Sequence, residues 1–452
     1  MKALLALALL VSASAVCAWA HVGSPDVFFE GAAGPYPVFV TVRPPQVIPG
    51  TAEIEVRVSA ADVREVRITP LPMTGDGAKF APAPDRAGRS KDDPKFYTGT
   101  LWLMTSGSWQ VRVTVEGARG AGELSVPVPA VANRTERMDA VLGSILAALG
   151  LFLALGLIAI VAAAGREAQL APGAEPDERA LAKGRRYGRF TAVLVVAVLA
   201  LGYLWWGAEA GGYERYVYKP LEMEAREEAG KLKLALRDPG WLPSRKLDDF
   251  LPDHGHLMHL YVIRVPEMDR VWHLHPEMVA TGRFEHALPG MPAGRYALFA
   301  DVVHENGFPE TPRAELELKS AVAGKPLEGD DSAGPTGVRL EFERERLVVK
   351  RPVALRFRAP APLEPYMGMA GHAAVVKKDL TVFAHLHPSG SVPMAALMLA
   401  RAPHAMGAEG NEVRFPYGFP KAGAYRIFVQ VKLGGRVETA YFDVDVEDSH
   451  AR

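Results

Sequence analysis

The chain has 452 residues, with 51 basic and 52 acidic side chains and 49% hydrophobic residues. That length allows about three domains, and the nearly cancelled charge excludes a broad basic footprint for nucleic acid. Cys17 is the only cysteine, so disulfides and cysteine-type zinc sites are excluded from the rest of the chain.

Residues 1–20 read as a signal peptide: Lys2, an apolar run Ala3–Val11, then Ala18-Trp19-Ala20 as a small-x-small cleavage site. Cys17 lies in this segment, and bulky Val16 makes a poor lipid-attachment motif. Cleavage after Ala20 would leave His21 at the N-terminus, where α-amine and ring together can chelate Cu(II). A two-histidine brace needs a partner, and residues 22–253 contain no other histidine. The competing reading of His21 is an incidental residue beside a slipping cleavage site. Residues 21–130 then show short runs of period two (VFVTVRP, AEIEVRVSA, VREVRITPL, FYTGTLWL, SWQVRVTVEG), which predict an extracytoplasmic β-sandwich. Within it, residues 76–95 read as a long loop.

Two apolar runs follow, predicted as transmembrane helices over 138–164 and 190–207, the first long enough to cross ~30 Å of hydrocarbon with some tilt and the second at the short end. Between them, 165–189 carries Arg166, Arg179, Lys183, Arg185, Arg186 and Arg189, which places that loop in the cytoplasm and both flanking regions outside it. Neither apolar run, Ala140–Ala164 or Phe190–Trp206, holds an acid, a base or a histidine, so the pair reads as an anchor and not as an ion path. Gly143, Ala147, Gly150 and Ala154 offer a small-residue packing face. The expected location is a bacterial inner membrane, with the N- and C-terminal regions extracytoplasmic.

Residues 208–230 read as a polar tether, 321–336 as a linker, and 231–320 and 337–447 as two copies of one β-domain. The copies share the phrase His-Leu-His-Pro: HLYVIRVPEMDRVWHLHPE carries His259, His273 and His275, and HAAVVKKDLTVFAHLHPSG carries His372, His385 and His387. GMPAGRYALFADVV and FPKAGAYRIFVQV continue the match. The predicted fold class is therefore mainly β: three immunoglobulin-like sandwiches plus a two-helix transmembrane hairpin.

In a strand, residues i and i+2 share a face. A hairpin returns each His-x-His strand opposite the upstream histidine, within cross-strand range. Three imidazoles then converge in each copy, the donor set preferred by zinc and copper. The first copy adds His254, His256, Asp301, His304 and Glu305, with Asp301 or His304 as a possible fourth ligand. The second adds thioethers, Met367 and Met369, then Met394, Met398 and Met406 with His404, which lean toward Cu(I). Equally open is that apolar neighbours such as Tyr261 and Phe383 bury these histidines as hydrogen-bonding core residues.

An exported sandwich beginning Ala-His-Val, a two-span anchor, and MHLYVIR, HLHP and GRYALFADVVHENGFPET resemble bacterial exported proteins of the YtkA-like and copper-carrier-like β-sandwich group. The resemblance implies an environment of metal or copper handling. It departs from the copper-carrier pattern where the first domain lacks a second histidine. No GxSxG, HExxH, P-loop or Rossmann signature is present. The expected function is a membrane-anchored periplasmic metal-binding protein handling copper, with zinc as the alternative metal. The membrane, through the hairpin, and a periplasmic or membrane protein are the expected partners. A non-metal envelope scaffold and, more remotely, a copper-dependent enzyme are the competing readings.

Overall fold

A computed structural model describes residues 26–75, 80–171, 173–242, 245–325, 341–342, 346–402 and 410–448. The segment 1–20 read as a signal peptide, His21, His404 and Met406 lie outside the described residues. The fold is mainly β, with several sheets and two long apolar helices. It divides into two compact units, one of the residues up to Val131 and from Lys219, the other Ala132–Tyr218.

In the first unit, strands Val27–Ala33, Tyr36–Arg43, Gly50–Val58, Phe96–Leu103 and Gly88–Arg89 form one sheet. Strands Asp85–Arg86, Val63–Pro72, Gly107–Gly117 and Gly120–Ala130 form another. Alternation drives their stacking: Ala52, Ile54, Val56 and Val58 are buried while Glu53, Glu55 and Arg57 point outward. Both sheets feed one core.

The first histidine repeat has a sheet of Glu222–Glu228, Lys231–Arg237, Arg283–Ala287 and Glu277–Ala280. A second sheet orders Val271–Leu274, His259–Val265, Gly294–Val303 and Arg313–Leu318. Strand Glu222–Glu228 falls in the segment read from sequence as a tether. Its only inward side chains are Met223 and Ala225, so its charges hide a weak alternation. The second repeat has Glu341–Phe342, Val353–Arg358 and Glu412–Tyr417 in one sheet. Its other sheet orders Phe383–Leu386, His372–Lys377, Gly423–Leu433 and Arg436–Val446, the same order as in the first repeat.

The three sheet pairs are not independent. After the second His-Leu-His-Pro the chain enters a short helix, Met394–Leu399, and Ala396 and Leu397 join the core of the N-terminal sheets. In exchange Phe28 enters the core of the second repeat. Residues 389–391 pair with the N-terminal strand: Glu30 N–H donates to Ser389 O (2.7 Å) and Ser391 N–H to Phe28 O (3.0 Å). Gly390 sits at φ +129°, and a Cβ there would lie 1.9 Å from Phe28 O, so only glycine permits this approach.

In the second unit, helices Ala140–Glu167 and Glu178–Tyr213 are long and apolar enough to cross a membrane, with mean hydropathy 2.9 and 2.0 over their most apolar stretches. Asp139 and Asp177 cap them, accepting from Val141 and Leu142 N–H and from Ala180 N–H. Arg179 to Arg189 therefore lie on the second helix and not in a loop. The close packing also differs from the expected face. A Cβ on Gly150 would meet nothing, whereas one on Gly184 would lie 2.8 Å from Ala162 O and one on Gly165 would strike the Tyr187 ring. Small residues at the loop end bring the helices together.

Candidate metal centre

Strand His259–Val265 pairs with Val271–Leu274 so that Leu260 faces Leu274 and Tyr261 faces His273. In the second repeat Ala373 faces Leu386 and Ala374 faces His385. The registers match, and the extra residue of the first copy lies in its turn. On the other side His259 faces Asp301, and His372 faces Gln430.

Each of these strands is buried on both faces, which explains the near-continuous apolar runs. Leu260 and Val262 enter their own repeat's core, while Tyr261 and Ile263 join Ala374, Val376, Phe383 and Phe428 in a core between the repeats. Phe299 and Phe383 stack there, with ring centroids 4.4 Å apart. By the same alternation every histidine of the two motifs points into this inter-repeat layer, at the end beyond the apolar contacts.

The geometry yields two groups of three imidazoles whose ligand atoms lie within 4.8 Å of one another. One is His259, His273 and His275, as the hairpin argument requires. The other is His372, His387 and His254, so the first repeat supplies the third nitrogen and His385 stands aside. His385 Nδ1–H donates to Asp301 Oδ2 across the repeat boundary (3.1 Å), and Thr311 Oγ1 donates to Asp301 Oδ1 (2.6 Å). The reciprocal bond runs the other way: His273 Nδ1–H donates to Gln430 Oε1 (3.1 Å). His259 Nε2–H donates to Asp253 O (2.8 Å), His387 Nδ1–H to Val392 O (3.2 Å), and His254 to the Met367 backbone.

One ring nitrogen of His254, His259, His273, His385 and His387 is thus committed to a fixed acceptor, which orients the other toward the cluster. This is how metal-binding imidazoles are held. Among the described residues, Nε2 of His254, His275, His385 and His387 and both ring nitrogens of His372 are buried without a hydrogen-bond partner. Each unmade bond costs about 1–3 kcal/mol, so six would rival a domain's net stability of ~5–15 kcal/mol. An ion or ordered water must meet that demand.

Burial keeps the rings neutral, as ligation requires. Desolvation lowers His259 and His387 to about 4 and His275 to about 2, and holds His254, His273, His372 and His385 below the ordinary range. Desolvation likewise pushes Asp301 up to about 7.

Other expected ligands stand elsewhere. Asp301 faces the second repeat's His385 and is not a fourth ligand of the first triad. His304 is bound by Asp249 (2.7 Å) and Glu310 (3.0 Å), and Glu310 also pairs with Arg245. Burial opposes its charge, but the Glu310 and Asp249 carboxylates prevail and raise its pKa. Met367 meets the cluster through its backbone, and Met369 is wholly buried. Met398 is 65% exposed on its helix. Missed altogether were Gln430 and the placement of His254. One signal for the former existed: Glu310-Thr311 and Glu438-Thr439 recur in the two copies, and these threonines contact Asp301 and Gln430.

The model of a domain of unknown function (DUF8832) matches residues 333–448, the region of the second repeat. No curated protein matches the chain. Among solved structures it is similar to an ICAM-5 D1–D4 ectodomain fragment, at 10% identity over 91% of this chain and 77% of that one, with a TM-score of 0.15. It is also similar to dimeric latent PorU from Porphyromonas gingivalis, at 9% identity over 94% of this chain and 34% of that one, with a TM-score of 0.15. At those scores neither likeness carries an argument, and the histidine cluster is what bears on function.

Proposed function

We propose that this chain is a membrane-anchored, extracytoplasmic metal-binding protein that holds copper, or alternatively zinc, in the histidine cluster between its repeats. The observation that carries this reading is the cluster of buried, neutral imidazoles in which His254, His385 and His387 each hold one nitrogen on a carbonyl or carboxylate and leave the other without a partner, beside His372 with neither nitrogen bonded. All-imidazole donors suit copper and zinc better than magnesium or calcium. Three sandwiches of immunoglobulin-like type would form the exported part. The signal-like residues 1–20 and the basic residues 166–189 support an inner-membrane anchor with both ends outside. With no catalytic signature in the sequence, we read the chain as a binding and delivery protein and not as an enzyme.

One observation favours the scaffold reading. His259 Nδ1 lies 3.0 Å from His273 Nε2. With their outer nitrogens protonated these would be two facing lone pairs, which a cation resolves. Turning the Gln430 amide over instead lets it donate to His273 Nδ1, and His273 Nε2–H then donates to His259 without metal. The decisive experiment is metal analysis of the full chain in detergent after exposure to Cu(I), Cu(II) or Zn(II) and dialysis. Retained metal, lost in His273→Ala/His275→Ala with folding intact, is expected. A folded parent that retains none of the three ions would establish the scaffold reading.

A further inference from the structure

Building on the metal-binding reading, we infer that the two triads form a single dinuclear centre in which two copper or zinc ions bind as a coupled pair.

The triads share parts. His254 belongs to the first repeat but lies 5.2 Å, ring centroid to ring centroid, from both His372 and His387 of the second. The residue before it, Asp253, holds His259 of the other triad through its carbonyl. One short turn therefore orients a ligand of one ion and supplies a ligand to the other. The two groups adjoin directly: the His254 ring lies 6.0 Å from that of His259, and the His273 ring 6.1 Å from that of His372.

His385 stands between them. Its ring is 5.6 Å from His259, 5.8 Å from His273 and 5.4 Å from His372. Its Nε2 is buried and without a partner among the described residues. The Asp301 contact points that nitrogen inward, so a seventh imidazole is available to either ion. Reciprocal bonds, His273 to Gln430 and His385 to Asp301, lock the two repeats in the one arrangement that assembles both groups.

Charge decides the ligand class. Two divalent ions this close in a buried site repel strongly, and the carboxylates beside the cluster are Asp301, bonded to His385, and Asp253, 3.8 Å from His254 Nε2. The centre therefore takes either a pair of Cu(I) ions or a Cu(II) or Zn(II) pair bridged by a hydroxide from a bound water whose proton leaves to solvent. The bridged pair should stand at about 3.5–4 Å, the spacing of two-metal sites.

The test loads the full chain in detergent with Cu(II), measures copper per chain, and checks oxidation state by the X-ray absorption edge. Two cupric ions with an electron-spin count far below the copper content, and a metal–metal vector in the absorption fine structure, are expected. In His372→Ala/His387→Ala, one ion should remain and its full spin signal should return. Two ions with full spin intensity, or one ion only in the parent, would overturn the dinuclear centre while leaving metal binding intact. No retained metal of any kind would overturn both. The parent measurement needs no variant, so a failure of the double substitution to fold does not remove the test.

Discussion

The two histidine repeats share strand order and hairpin register, yet they differ at four matched positions around the cluster. His254 and His256 of the first stand where Met367 and Met369 stand in the second. The match is conformational as well as positional: His254-Gly255 and Met367-Gly368 adopt the same turn, with φ of 49° and 87° against 52° and 80°. The same paired backbone bonds close both turns, Asp253 with His256 and Tyr366 with Met369. Asp301 is matched by Gln430, and His304 by Leu433. Duplication therefore conserved the parts that build the hairpin and varied those that tune what it holds. The pair of sites is asymmetric, and the first repeat lends a nitrogen to the second.

The largest effect should come from the last of these differences. Making the first repeat resemble the second, His304→Leu leaves half-buried Asp249 without its imidazolium and buried Glu310 with Arg245 alone, at a cost of about 3 kcal/mol, the low end for a broken buried pair. Because the folded pKa of His304 is raised, its contribution is full below ~6.5 and is lost as pH rises through the folded value. The cluster has the opposite sign. His259 and His387 are lowered to about 4, so the metal-free protein loses stability as pH falls from ~6.5 toward that value. Chemical denaturation of parent and His304→Leu across this range should show the alkaline slope disappear and the acid slope persist. An unchanged alkaline slope would mean that His304 is neutral in the folded chain.

An intermediate effect is expected at the reciprocal contacts. Asp301→Asn and Gln430→Ala should each weaken metal affinity about 10–100-fold, the usual cost of removing an orienting partner. Asp301→Asn should act on the ion that His385 serves, and Gln430→Ala on the ion bound by His259, His273 and His275. Competition with a chelator measures both. Equal loss at both ions in each variant would show that these residues hold the interface and not individual ligands.

The smallest change should follow from His254→Met, which copies the second repeat's turn into the first. Exchange of an imidazole for a thioether should lower Cu(II) or Zn(II) affinity at the second triad about tenfold and leave Cu(I) little changed. Parallel Cu(I) and Zn(II) titrations test this. Equal losses for both ions would mean that His254 acts by position and not by donor softness.

The repeat, the period-two strands and the convergence of His259, His273 and His275 were legible in the sequence, because alternation along a strand and the length of a hairpin turn are local properties. The doubly buried strands were also written there, in apolar runs such as HLYVIR and AAVV, although what covers the second face was not. That the two repeats cover each other was decided only by tertiary packing, and with it the pairing of His254 with His372 and His387. Gln430 gave no metal-site signal because its role is to accept from a histidine 157 residues away. Strand Glu222–Glu228 and the insertion of Met394–Leu399 into the N-terminal core were hidden for the same reason. Local pattern sets which way a side chain points, and only the assembled layers determine what it meets.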